Sequence, residues 1–264
     1  MKNIIIDNLH LIQKEKKIKI LYACESGSRG WEFPSPDSDY DVRFIYIKPI
    51  NDYLSVIEKE DALGFPINGE LDIYGWDLRK ILQLIRKSNT TPFEWLQSPI
   101  VYSEEEGFKN DLWSLCQHFF NQRSNIHHYL GIAKGAMESI INGDEIKIKK
   151  LFYVLRPLLS AKWCLEKNSI APMTIAPLMT LLPDDLSKQV NELIKLKATS
   201  PEGFIIKIDA ALQSWIQTEF LNCSEASKDL IKDNFEVDKL NDFFLKMIKQ
   251  YDNSRTKRQE TDTF

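Results

Sequence analysis

The order of apolar and polar positions divides this chain into a β-rich first third and a helical remainder. Ile5, Leu9 and Ile12 recur at near-helical spacing and predict a first helix over 4–17, closed by the basic cluster Lys14-Glu15-Lys16-Lys17. The nearly continuous apolar run over 18–25 predicts a strand buried on both faces, and a second β-type run covers 42–47. Between them Pro34 and Pro36 forbid long regular structure, which makes 32–38 a loop that returns the chain to the sheet. A short helical turn is expected at 51–56, and the runs 56–60 and 69–76 read as a further antiparallel strand pair.

From Asp77, an N-cap candidate, the pattern becomes helical, with Leu78, Ile81, Leu82 and Ile85 on one face of 78–87. Thr91-Pro92-Phe93-Glu94 reads as a capping box with proline at the first helical position. Helices are expected over 108–120, 124–142, 146–167, 175–181, 184–198 and 203–222, separated by breakers such as Asn142-Gly143, Pro172, Pro183 and Ser200-Pro201. The loss of β-type patterning after Trp76 predicts an α+β part over 1–88, a mostly α-helical bundle over 89–252 that closes a cleft against it, and a flexible tail over 253–264.

Composition narrows the class without naming a function. With 264 residues, 43% hydrophobic and 27% charged, the chain reads as an ordinary globular protein. No apolar run approaches the roughly 18 residues of a spanning helix, and Met1-Lys2-Asn3 opens no secretory signal, so the expected compartment is the cytoplasm. Cys24, Cys116, Cys164 and Cys223 are scattered and read as small buried residues, while His10, His118, His127 and His128 lack metal-ligand spacing. A net charge of −4 argues against a broad electrostatic grip on nucleic acid, though it leaves room for a local basic groove.

The chemistry concentrates in 23–47. Asp39 and Asp41, two apart on an extended strand, project from one face and would gain by sharing a cation. Oxygen donors of this kind suit magnesium held together with substrate phosphates. Upstream, Gly27 lets backbone N–H groups approach an anion closely and Ser28 adds a hydroxyl, so a nucleoside triphosphate with its magnesium fits both halves. An isolated Asp-x-Asp is also common in turns, and the run from Asp37 fails as a calcium loop because Val42 and Lys48 stand where glycine and glutamate are needed. Arg43 shares the face of Asp41 and could equally neutralise the acidic cluster or touch a phosphate. Trp31 and Trp76 are candidates for base stacking or for the core.

Gly27-Ser28, Asp39-x-Asp41 and the lone carboxylate of Leu71-Asp72-Ile73 together resemble the pattern of the DNA polymerase β-type nucleotidyltransferase superfamily. The longer strings Glu-Ser-Gly-Ser-Arg-Gly, Pro-Asp-Ser-Asp-Tyr-Asp-Val-Arg-Phe and Gly-Trp-Asp-Leu-Arg-Lys resemble a group of predicted nucleotidyltransferases, some associated with RNA repair. The likeness covers about 20–80, continues loosely through 91–96 and 153–158, and ends near Pro183. It implies a mixed sheet with flanking helices and transfer of a nucleoside monophosphate to a hydroxyl of a nucleic-acid end, a protein or a small molecule, RNA being one candidate. Asp39, Asp41 and Asp72 would be the catalytic carboxylates and would hold two magnesium ions, with Asp72 a candidate general base. Gly27, Ser28 and Arg29 would hold the departing pyrophosphate. A catalytically silent nucleotide-binding or interaction module on the same fold is the alternative.

One more face stands out. Lys149, Tyr153 and Arg156 are four and three residues apart on the expected helix, with Lys150 at their edge. They read either as a basic rim with its aliphatic stems packed on the core or as a second set of triphosphate ligands facing the carboxylates.

Overall fold

The computed structural model describes residues 1–141 and 143–261. Its centre is a five-stranded mixed sheet built from β1 (Lys19–Glu25), β2 (Tyr40–Ile47), β3 (Ala62–Gly64), β4 (Leu71–Asp77) and β5 (Val101–Glu104), in the order β3-β4-β2-β1-β5. β1 runs antiparallel to both β2 and β5, whereas β2 and β4 are parallel, with Asp41 opposite Asp72, Arg43 opposite Tyr74 and Ile45 opposite Trp76. Because side chains alternate along a strand, one face of this parallel pair carries Asp41, Arg43, Asp72, Tyr74 and Trp76.

α1 (Lys2–Lys16) covers one sheet face, where Ile5, Leu9 and Ile12 meet Val42, Phe44 and Ile73. α2 (Gly27–Gly30) is a single turn after β1, and α3 (Ile50–Tyr53) follows β2. The other face is packed by α4 (Leu78–Arg86), α5 (Thr90–Trp95) and α6 (Phe108–His118). A second core forms around α7 (Gln122–Met137) and α8 (Ile148–Lys167), joined by α9 (Ile175–Leu178), α10 (Asp184–Thr199) and α11 (Ala210–Ala226). β6 (Glu145–Lys147) and β7 (Ile205–Lys207) make a small antiparallel ribbon. α12 (Asp238–Thr261) then returns to the sheet, with Leu240, Phe243 and Met247 in the same core as Leu78 and Phe93.

Several local expectations are corrected. The strand expected over 56–60 is absent; Val56 and Ile57 are exposed, and Ala62–Gly64 pairs with β4 instead. A strand there would have left its apolar side chains without a layer to pack on. The cap of α5 is Asn89, whose side chain accepts from the Thr91 amide, so the helix begins before the expected capping box. Residues 146–147 and 205–207 are extended where helix was expected, because their backbones pair with each other. β5 and α12 also bring residues beyond 88 to the sheet, since edge pairing and apolar packing, not local patterning, recruit them. The tail expected over 253–264 falls on residues whose side chains, and beyond Thr261 whose backbone, lie outside the described ones. Among the described residues no helix is long and apolar enough to cross a membrane, and all four cysteines are free and buried.

Gly75 is the tightest point of the sheet: a Cβ there would come within 2.2 Å of the Phe44 ring. Phe44 is itself fully enclosed, so the ring has nowhere to retreat. Gly75→Ala is expected to lower unfolding stability by about 1–3 kcal/mol, read by chemical denaturation; an unchanged midpoint would show that the sheet accommodates the methyl group.

Candidate active site

The turn after β1 places Gly27 in the left-handed region, φ 57°, directly against the carboxylate of Asp41. A Cβ at Gly27 would lie 2.0 Å from Asp41 Oδ2, so the glycine is required by space as well as by backbone conformation. Asp41 and Asp72, paired in register on neighbouring strands, share one cationic group. Arg43 Nη2 lies 2.9 Å from Asp41 Oδ1 and 2.7 Å from Asp72 Oδ2, and Nη1 donates to the carbonyls of Val42 and Asp72. These contacts correspond to the first of the two readings of Arg43, neutralisation of the acidic cluster.

Burial raises the Asp41 pKa, and Asp72 and Asp39 push the same way against the lowering effect of Arg43 and Lys149. Burial is the largest of these effects, and among the charges Arg43 acts most strongly, holding the carboxylate toward its ionised form. Asp39 is exposed at the start of β2 and stands outside the Arg43 bridge. Among the described residues no three His, Cys, Asp or Glu side chains converge as a ready metal cage.

Ser28 is buried and its hydroxyl donates to Ser38 Oγ at 3.0 Å. Arg29, expected at a pyrophosphate, instead donates to the backbone carbonyls of Ser38 and Asp39 and stacks 3.9 Å from the centre of the Tyr40 ring. Through these bonds Arg29 shapes the loop that delivers Asp39.

The face on α8 divides. Lys149 pairs with Glu202 and lies close enough to Asp39 and Asp41 to interact electrostatically with both. Tyr153 packs edge-on against Trp31, and Lys150 is exposed with its ammonium 5.8 Å from the Tyr153 ring centre. Arg156 lies deeper than the other three. It is 3% exposed, donates to the Met173 carbonyl and to Glu94, and lies 4.5 Å over Trp31. A guanidinium so enclosed is paired within the fold, since a buried charge must be compensated where it sits.

Residues that the sequence reading passed over hold the site in shape. Glu25, the fully buried last residue of β1, accepts from the Asp41 amide at 2.7 Å and from the Tyr102 hydroxyl. Burial raises its pKa against these two hydrogen bonds. An acidic residue ending an apolar strand was the available signal. Glu202 accepts from Ser38 Oγ at 2.9 Å, and its amide donates to Asp37. The fully buried Lys197 donates to Ser35 Oγ at 2.9 Å. Both lie more than 160 positions from their partners, and no local pattern announces them.

A glycine-serine turn packed beneath one carboxylate, a second carboxylate beside it on a parallel strand and a mixed sheet behind them are the marks of the nucleotidyltransferase class within the DNA polymerase β superfamily. More narrowly, the chain belongs to RlaP, the RNA repair pathway DNA polymerase beta family, whose model matches residues 1–246. It is 41% identical over 233 residues to the Bacillus subtilis (strain 168) protein named "Uncharacterized protein YcgL", covering 87% of this chain and 89% of that one. A crystal structure of a nucleotidyltransferase-like protein from Exiguobacterium sibiricum 255-15 is 12% identical, with a TM-score of 0.31 over 85% of this chain and 74% of the other.

Gly27→Ala tests the contact on which this geometry rests. A strained backbone and the overlap with Asp41 together are expected to lower stability by about 1–3 kcal/mol and to move the Asp41 carboxylate off Arg43. Denaturation curves and a crystal structure of the variant read both effects; wild-type stability with Asp41 unmoved would show that Gly27 is replaceable.

Proposed function

We propose that this chain transfers a nucleoside monophosphate from a nucleoside triphosphate to a hydroxyl acceptor and releases pyrophosphate. The observation that carries the reading is the pairing of Asp41 with Asp72 on parallel strands, with Gly27 beneath Asp41 and a cationic group between the carboxylates. The donor set fits magnesium: all three candidate ligands, Asp39, Asp41 and Asp72, offer oxygen, and the pair already accepts positive charge from Arg43. Bound there as two ions, magnesium would neutralise the triphosphate and lower the pKa of the attacking hydroxyl.

The remaining work falls to the chain itself. Gly27 and Ser28 form the wall beside Asp41 where the phosphates would lie, and Lys149 brings positive charge from α8. Lys150, exposed at the same edge, is free to follow the end of the triphosphate. Asp72 would accept the acceptor proton at Oδ2 once Arg43 has moved from it, so the arginine controls whether the base is available. The family's description supports an RNA end as the acceptor. A second reading, a catalytically silent nucleotide-binding or interaction module, draws on the same arginine, which bridges the two carboxylates, and on Asp39 standing outside that bridge.

Labelled nucleoside triphosphates offered with magnesium to RNA, protein and small-molecule acceptors decide between the two. The wild type is expected to transfer label, and Asp41→Asn to fall to background while folding as stably as the wild type or slightly more so, because a repelling charge is lost. Undiminished transfer by Asp41→Asn would reject the assignment. Nucleotide binding without transfer to any acceptor would favour the silent module.

A further inference from the structure

The acidic pair is one end of a longer feature. Arg43, which bridges Asp41 and Asp72, is also a wall residue of a cleft of about 320 Å³ between β4, α5, α7 and α8. Its other walls include Trp31, Tyr74, Trp76, His128 and Tyr153. The continuity follows from register: Tyr74 and Trp76 follow Asp72 at two-residue steps on one face of β4, so the face that begins with a carboxylate ends in aromatic rings.

The cleft has the character of a small-molecule site. Its volume lies near the lower end of the roughly 300–1,000 Å³ that such sites occupy, room for one ring system with its sugar but not for a folded nucleic acid. The indole N–H groups of Trp31 and Trp76 are buried within the wall and have no hydrogen-bond partner. The Arg156–Glu94 pair in the wall adds polar atoms at 3.1 Å separation without a free charge. His128 adds a flat ring to the wall, and burial lowers its pKa. A slot of about 320 Å³ with the Arg156–Glu94 pair in its wall is a poor match for a partner helix. A flat heteroaromatic ring with acceptor atoms suits it, and its attached phosphates would emerge beside Arg43 and the carboxylates.

We propose that this aromatic cleft seats the base of the nucleoside triphosphate, so that the chain discriminates nucleotides from bare polyphosphate by stacking. The proposal deepens the nucleotidyltransferase reading and rests on it for the position of the phosphates. It does not rest on it for the base, which free nucleosides can probe alone.

The test compares magnesium nucleoside triphosphates, magnesium tripolyphosphate, free nucleosides and a short RNA by calorimetry and tryptophan fluorescence on the full chain. At least one nucleoside triphosphate is expected to bind about tenfold or more tightly than tripolyphosphate, the gain that one stacked base supplies. Ile132→Trp, which fills the cleft from a position 41% exposed, is expected to abolish that ratio and leave tripolyphosphate affinity unchanged. Tyr74→Ala, which removes a wall instead of filling the space, should reduce the ratio independently. Equal affinity for nucleotides and tripolyphosphate, with no nucleoside binding, would overturn the base site and leave the triphosphate site standing. Nucleoside binding that Ile132→Trp removes, with no tripolyphosphate binding, would uphold the cleft and reject the triphosphate site. Binding by short RNA but by no nucleotide or nucleoside would assign the cleft to the acceptor and overturn the proposal, and binding by none of the four would overturn it as well.

Discussion

The constraint on which this molecule turns is the repulsion between two carboxylates that the sheet itself forces together. Asp41 and Asp72 stand opposite each other because β2 and β4 pair in parallel, and that pairing is fixed by the apolar residues on the opposite face, Val42, Phe44, Leu71 and Ile73. A one-residue slip would turn both the acids and the core to the wrong side. Two like charges held side by side on a partly buried face repel, and folded chains have only a small margin of stability against such a cost. Arg43 answers this from within the same strand, two residues on, where alternation returns its side chain to the acidic face.

A second constraint comes from far along the chain. The loop that leads into Asp39 has little regular hydrogen bonding of its own and is held by side chains of the helical part: Lys197 on Ser35, and Glu202 on Ser38 and Asp37. Arg29 holds the same loop from the other side through the Ser38 and Asp39 carbonyls. The acidic strand thus receives its entry angle from α10 and the segment after it, and the helical part contributes to the geometry of the carboxylates as well as to the enclosure of the cleft.

Legibility in the sequence followed the range of the interactions. β1, β2 and α4 could be read because each is specified by its own side chains: a continuous apolar run, a β-branched and aromatic run, and Asp77 capping a one-faced helix. The Gly27, Asp41 and Asp72 set was readable because a left-handed turn and an Asp on an apolar strand are locally unusual. What failed was decided at a distance. Glu94 looked like half of a capping box, but its carboxylate meets Arg156, 62 positions away, and Asn89 does the capping. The enclosure of Arg156 by Glu94 and Trp31 was out of reach for the same reason, because helical periodicity gives a residue's neighbours on its own helix and not its partners elsewhere. β6 and β7 escaped notice because three-residue strands are defined by their partner more than by their composition.

The same distribution of partners explains how a site rich in charge persists in a folded chain. Two of the charges at the site are met by groups of opposite sign: Arg43 lies on Asp41 and Asp72, and Glu202 lies on Lys149 while also accepting from Ser38. A cation arriving at the pair competes with a guanidinium already there, and an anion arriving at Lys149 competes with a carboxylate already there. Under the proposed reading, a ligand that carries both charges, a metal bound to a triphosphate, would exchange both pairs together. A lone metal ion or a lone phosphate would meet half of this exchange and leave one protein charge without its partner, which is costly in a partly buried site.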